Sequence, residues 1–180
     1  MRKLRPHEKR LLKKVNFFAS KHDKKNRETT TMQKYYLQDR NDYERYNKIC
    51  GMVTRMVSLL AKLDPSDAFR QKVSELLVEK LYALGVISTN TGVSACQKIS
   101  VSAFCRRRLP IVMVRSKMSE GLREATTLIE QGHVRVGPEI VTDPAFLVTR
   151  TMEDFVGWAA GSKIRKIVMK YNDQYDDYVD

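Results

Sequence analysis

The chain has 180 residues, 42% of them hydrophobic and 30% charged, with a formal net charge of +12. That length suits one domain, or a small domain with a substantial extension, and the apolar fraction is enough for a core. No apolar run approaches the ~18 residues of a membrane span and no signal-peptide pattern opens the chain, so the expectation is an intracellular soluble protein with no membrane partner. Cys50, Cys96 and Cys105 are odd in number and contain no Cys-x-x-Cys pair, which argues against a disulfide framework or a zinc site and for small buried residues. No metal or cofactor is expected.

The charge is uneven. Residues 1–50 hold fifteen Lys or Arg against six Asp or Glu, a balance of +9, which leaves +3 for the rest. Such an excess points to a polyanionic partner, nucleic acid first and a membrane surface second. Arg2, Lys3 and Arg5 precede a helical pattern from about His7 to Ala19, in which Leu11, Leu12, Val15 and Phe18 recur on one stripe. Lys9, Arg10, Lys13 and Lys14 fill much of the remainder, as a solvated face or as a basic helix laid on phosphates. Residues 20–27 are polar and read as a loop or frayed helix. These first 27 residues form a basic extension.

A helical pattern runs from Glu28 to about Leu63, with Tyr35, Tyr36, Tyr43 and Tyr46 read as sealing helix contacts. Asp64-Pro65-Ser66-Asp67 is a turn, with Ser66 or Asp67 capping the next helix. That helix carries Phe69, Val73, Leu76, Leu77, Leu81 and Leu84 on one stripe, and Gly85 suits the left-handed residue that ends it. Residues 88–98 form a connector, placing a boundary between a helical region, 28–98, and a second unit, 99–171.

The second unit opens with Ser102 as cap of a helix starting near Ala103. At ~100° per residue, Val101, Phe104, Cys105, Leu109 and Val112 share one side. Arg106 and Arg107 then project outward, while Arg108 falls near the apolar arc, suited to a carboxylate or carbonyl partner. Pro110 should bend this helix. Arginine suits RNA because its planar fork grips phosphate and stacks on bases. Arg115 and Lys117 extend the basic surface. A second helix, Glu120 to Gln131, turns Leu122, Ala125, Leu128 and Ile129 inward and leaves Arg123 outside. Gly132 breaks it. In the following strand Val134 and Val136 point one way, His133 and Arg135 the other. Gly137-Pro138 makes the reversal and Ile140-Val141 returns. His133 has no Ser, Cys or carboxylate partner implied nearby, so a hydrogen bond to RNA or backbone is the expectation rather than catalysis. Lys117-Met118-Ser119-Glu120 resembles part of the signature loop of class I aminoacyl-tRNA synthetases over three residues only, without any nucleotide-binding strand-loop-helix.

Past the ribbon, Thr151 and Asp154 suggest a capping-box variant that starts a helix from Met152 to Ala160. A short amphipathic helix, Ser162 to Tyr171, carries an Ile164, Ile167, Val168 and Tyr171 stripe read as core or domain docking. Residues 172–180 form an acidic tail.

Phe104 with Arg106-Arg107-Arg108-Leu109, Ala125 to Ile129, Gly132-His133-Val134-Arg135-Val136, Val141, Asp143-Pro144 and Phe146-Leu147-Val148 together resemble the S4 RNA-binding domain. Met1-Arg2-Lys3-Leu4 with His7-Glu8, Asp42 to Asn47, Gly132 to Pro138, Met152 to Phe155, Trp158 and Ser162-Lys163-Ile164 further resemble the S4-type protein family of the U3 small nucleolar ribonucleoprotein. The resemblance implies an α+β fold: a helical N-terminal region, then an S4-type (αL-like) unit of two helices and a small antiparallel sheet, with C-terminal helices. It implies a non-catalytic, nucleolar RNA-binding protein of the small-subunit processome. U3 small nucleolar RNA and precursor ribosomal RNA would be its partners, with an acidic M-phase phosphoprotein scaffold and a Brix-domain protein. The alternative is a small ribosomal subunit protein of the S4 family, against which the acidic end in place of a long basic tail argues.

Overall fold

A computed structural model describes residues 2–14, 27–90 and 92–175. The expected helix end at Ala19, the polar stretch 20–26 and residues 176–180 of the acidic tail lie outside the described residues. Helix α1 spans Pro6–Lys14, α2 Arg27–Tyr35, α3 Arg40–Leu60 and α4 Ala68–Ala83. A 3-10 helix, Val93–Lys98, leads to α5, Val101–Cys105, then α6, Leu109–Arg115, and α7, Leu122–Glu130. Strands β1, Val134–Val136, and β2, Glu139–Ile140, precede a 3-10 turn at Glu153–Phe155, β3 at Val156–Trp158 and helix α8 at Lys163–Tyr171.

The α+β expectation holds: helices surround a three-stranded antiparallel sheet of order β2-β1-β3. Where helices start and stop, local chemistry explains most of it. Asp67 caps α4, its carboxylate accepting from the Phe69 amide at 2.9 Å. Gly85 ends the same helix at φ +72°, with the Gly85 and Val86 amides donating to the Tyr82 and Leu81 carbonyls.

Several expected boundaries move. The single pattern from Glu28 to Leu63 is two helices, because Tyr36 adopts φ +49° and the chain turns before α3. Ser100, not Ser102, precedes α5, without a side-chain cap bond. The expected α4 stripe is not wholly buried: Leu81 enters the core, joined by Val78 from outside the stripe, whereas Phe69 and Leu76 are 64% and 57% exposed. The helix expected from Met152 to Ala160 is instead the 3-10 turn and β3. Pairing of Val134 with Trp158 and Val136 with Val156 satisfies backbone groups across the sheet and packs Val156 and Trp158 against the core, so tertiary context overrides the capping signal. The α8 stripe is also corrected: Ile167 and Tyr171 are 65% and 88% exposed, and the helix has no buried residue.

The core forms three connected clusters. Leu109, Val112, Met113, Ala125, Ile129, Val134 and Val148 lie under α6, α7 and the sheet. Leu37, Tyr46, Cys50, Val101, Phe104 and Cys105 join α3 to α5, with the Tyr46 and Phe104 rings stacked at 5.8 Å. Val53, Val57, Val78, Leu81, Ile87 and Cys96 join α3 to α4. Phe104 therefore packs with the helical region, and Leu109 with the sheet, rather than both on one stripe.

Candidate RNA interface

The arginine triplet sits at the joint between these clusters. The helix expected to run through it is interrupted: α5 ends at Cys105, and a short link follows, with Arg106 and Arg107 in a turn and Arg108 extended and bridged to Leu147. The link pairs with the chain at 146–148. Val148 donates to the Arg107 carbonyl at 2.8 Å, and Leu109 donates to the Phe146 carbonyl at 2.9 Å. Pro110 falls in the first turn of α6, where its missing amide hydrogen costs nothing, so it starts a helix instead of bending one.

This break reassigns the three side chains. Arg106 is exposed, as expected. Arg107 is not: expected to face outward, it is 6% exposed. Its Nε donates to the Val148 carbonyl at 2.9 Å and its Nη1 to Glu153 Oε2 at 2.9 Å. The Gly85 backbone lies against its guanidinium so closely that a Cβ there would stand 2.8 Å from Nε. The turn at Arg106 and Arg107 and the extended backbone of Arg108 end the regular α-helical rotation, so a helical phase count cannot carry across them. Arg108 is 3% exposed; its Nη1 donates to Asp42 Oδ2 at 2.7 Å and to the Tyr46 hydroxyl at 3.4 Å. The carboxylate partner expected for it is Asp42. Two of the three arginines are thus internal, and only Arg106 presents its fork to solvent.

Arg115, 52% exposed in its side chain, pairs with Glu153, whose other oxygen takes Arg107. One carboxylate thereby bridges two guanidinium groups. Burial lowers the pKa of Arg107, and burial together with the Arg107 charge lowers that of Arg115. Lys117 is exposed at φ +60°, in the left-handed turn that closes α6, where its own amide donates to the Val114 carbonyl. Arg123 is exposed on α7 and Arg135 on β1, the latter donating to the Gly137 carbonyl at 3.3 Å. His133 does not stand free: its Nδ1 shares a 3.1 Å hydrogen bond with the Ser162 hydroxyl, which in turn caps α8 by accepting from the Ile164 amide.

At the N-terminus Arg2 pairs with Glu8, and Lys3, Arg5, Lys9 and Arg10 are exposed. Hydrogen bonds from Arg2 and from the Arg5 amide lower the Glu8 pKa. The side chains of Lys13 and Lys14 lie outside the described part.

Arg150 escaped the sequence reading. Its Nε donates to the Tyr82 carbonyl at 2.9 Å and its Nη2 to the Ile87 carbonyl at 2.7 Å, and its guanidinium lies 4.1 Å from the Tyr82 ring centre. It closes the end of α4, while Arg107 packs on Gly85 of the same turn. A cation sixty residues from its acceptors carries no local signal. Among the described residues no group of His, Cys, Asp and Glu is placed to hold a metal, and no helix is long and apolar enough to cross a membrane.

A two-helix and small-sheet unit, fastened by internal arginines to a preceding helical region, defines an S4-domain protein. The chain matches the ribosomal protein S4/S9 N-terminal domain family over residues 3–106 and the S4 domain family over residues 107–154. It is 50% identical to the U3 small nucleolar ribonucleoprotein protein IMP3 of Saccharomyces cerevisiae, over 99% of this chain and 98% of that one. It is 46% identical to the Homo sapiens protein of the same name, over 99% and 97%. Identity to the small ribosomal subunit protein uS4 of Picrophilus torridus is 27%, over 68% of each chain. The chain belongs to the IMP3 family of U3 small nucleolar ribonucleoprotein proteins, within the wider S4 group; these are not enzyme families.

Proposed function

We propose that this chain is a non-catalytic RNA-binding component of a U3 small nucleolar ribonucleoprotein in the nucleolus. In this reading it promotes pairing of U3 small nucleolar RNA with precursor ribosomal RNA during maturation of the small subunit. The observation that carries it is the near full-length likeness to IMP3 proteins, stronger than the partial likeness to uS4. The helical region, 28–98, is a platform for the unit at 99–171, which holds the RNA, and the basic N-terminal segment adds phosphate contacts. An acidic M-phase phosphoprotein scaffold and a Brix-domain protein are its protein partners.

The exposed cations Arg106, Arg115, Lys117, Arg123 and Arg135 support the reading. Exposed cations neutralise phosphates and release counterions, so affinity falls with salt. The buried Arg107 and Arg108 hold the platform to the S4 unit and act on RNA only through that geometry. The test is annealing of a U3 fragment to its precursor RNA complement, followed by fluorescence with and without protein. Acceleration is expected, and it weakens when Arg106, Lys117 and Arg123 are changed together to Ala. No acceleration by the wild-type chain overturns the reading.

A further inference from the structure

A second polar surface lies away from the sheet, where α2, α3 and α5 meet. There a cleft of about 300 Å³ is lined by Arg27, Tyr43, Asn47, Lys98, Ser100 and Ser102, among others. That volume is at the lower end of small-molecule sites, about 300–1,000 Å³. Both charged residues in the lining are cations and no carboxylate lines it. Arg27 and Lys98 are exposed at the rim and form no ion pair with the described residues. Ser100 precedes α5 without donating or accepting a side-chain cap bond, so its hydroxyl is available. Tyr43 is half-buried: its ring packs beside the Tyr46 and Phe104 cluster and also borders the cleft. The floor includes Cys50 and Val101, both buried.

The cleft is linked to the exposed arginine of the triplet. Arg106 donates its amide to the Ser102 carbonyl at 3.1 Å, one helical turn along α5. Arg106 itself does not line the cleft, so its effect on RNA can be read separately from that of the cleft residues.

We propose that this cleft receives one unpaired nucleotide of the bound RNA, with Arg27 and Lys98 on its phosphate, Tyr43 against its base and Asn47, Ser100 and Ser102 along its polar edge. The proposal rests on the reading of the chain as an RNA-binding protein. The chemistry fits an RNA ligand at three levels. Two cations without a carboxylate attract a polyanion. A half-buried phenol ring offers a stacking platform at small entropic cost. Hydroxyl and amide groups supply donors and acceptors for a base edge, which single-stranded RNA exposes and a duplex hides. An acidic peptide would satisfy the two cations but leave the amide, hydroxyl and aromatic lining without a role.

The test uses the full chain and two probes, a short unstructured RNA carrying 4-thiouridine and a blunt RNA duplex. Arg27→Ala with Lys98→Ala is expected to lower affinity for the single strand about tenfold, and for the duplex much less. Tyr43→Leu is expected to lower single-strand affinity about fivefold or more, while Tyr43→Phe keeps the ring and stays near wild type. The photocrosslink should map to Tyr43 or its neighbours in the cleft. Thermal unfolding checks that each variant is folded. If the cleft variants bind both probes like wild type while Arg106→Ala weakens both, the cleft proposal fails and the RNA-binding reading stands. If Arg106→Ala also changes nothing, both fail. A crosslink from this cleft to a protein rather than to RNA, in the assembled particle, likewise overturns it.

Discussion

Arg108 and Asp42 are 66 residues apart in sequence and joined by a 2.7 Å charge-assisted hydrogen bond in the fold. Arg108 is 3% exposed and Asp42 9%, and Tyr46 accepts a further, longer bond from the same guanidinium nitrogen. The pair fixes α3 against the start of α6, which sets the orientation of the S4 unit on the helical region. Its net worth against an apolar pair is small, because desolvating two ions offsets much of their attraction. Removing one partner is another matter. Asp42→Ala should cost about 3–5 kcal/mol by stranding a buried guanidinium. Changing Arg108→Met in the same chain should restore much of that loss, as read from urea unfolding. Equal destabilisation in the single and double variants would refute the pairing.

Arg106 and Arg107 are neighbours with separable effects. Arg106→Ala should leave stability within about 0.5 kcal/mol of wild type, since the side chain is exposed. It should also lower RNA affinity and flatten the log affinity against log salt slope by about 0.7–0.9. Arg107→Ala should instead cost about 1–3 kcal/mol in unfolding, by leaving the Val148 carbonyl and Glu153 without their donor. Its salt slope should match wild type once folding is complete. Calorimetry and binding titrations on the two single variants decide this; the double variant alone would mix the effects.

The two arginines show where sequence reasoning reaches and where it stops. Signals within a few residues were legible: a cap at Ser66 or Asp67, which the fold resolves as Asp67, Gly85 as a left-handed end, Gly132 as a helix breaker, and the inward Val134 and outward Arg135 of β1. The α+β character and the arginine triplet as a singular feature were legible too. The interruption at residues 106–108 was not. It depends on pairing with residues 146–148, some forty positions away. β3 was missed for the same reason: Met152 to Trp158 reads as a helix start until β1 is beside it. Tyr36 gave no glycine or asparagine to announce its positive φ. The exposed α8 stripe misled in the other direction, since periodicity reports an apolar face but not whether anything covers it.

Alkaline pH should weaken the fold. Burial pushes the Cys105 thiol from its usual 9.0 up to about 11, and burial also raises Tyr46 above the ordinary tyrosine value. The folded chain therefore holds protons that the unfolded chain has already released. The stabilising contribution is whole below about pH 9, where both states are protonated, and is lost progressively as pH rises toward about 11. The thiol alone accounts for up to about 3 kcal/mol, taking 1.36 kcal/mol per unit. Urea midpoints should fall across that window, and Cys105→Ala should flatten the fall. A midpoint independent of pH there would contradict the burial of the thiol. The same burial predicts slow alkylation of Cys50, Cys96 and Cys105 in the native state and rapid alkylation after unfolding.

Helix α8 gives a contrast within one apolar stripe. Ile164 is half-buried near the Ser162 cap, whereas Ile167 is 65% exposed. Ile167→Asp should shift stability by no more than about 0.5 kcal/mol. Ile164→Asp should cost more, because it brings a carboxylate toward the packed side of the helix. Thermal unfolding of both variants checks the order, and a larger loss at Ile167 would mean that α8 packs through the face found exposed.

Gly85 couples backbone geometry to the arginine frame. Its φ of +72° is open to glycine, and forcing an L side chain into it costs about 1–2 kcal/mol by itself. A Cβ would also lie 2.8 Å from Arg107 Nε and 2.9 Å from Cζ. That guanidinium cannot swing away cheaply, since Val148 and Glu153 hold it in place. Gly85→Ala should therefore destabilise by more than the backbone strain alone. The excess should vanish in an Arg107→Ala background, where no guanidinium meets the new methyl. A double-mutant cycle by urea unfolding measures that excess directly. Strictly additive effects would mean that the α4 terminus and the arginine link do not press on one another. A clear coupling would identify Gly85 as the point where the helical region gives the S4 unit room to seat.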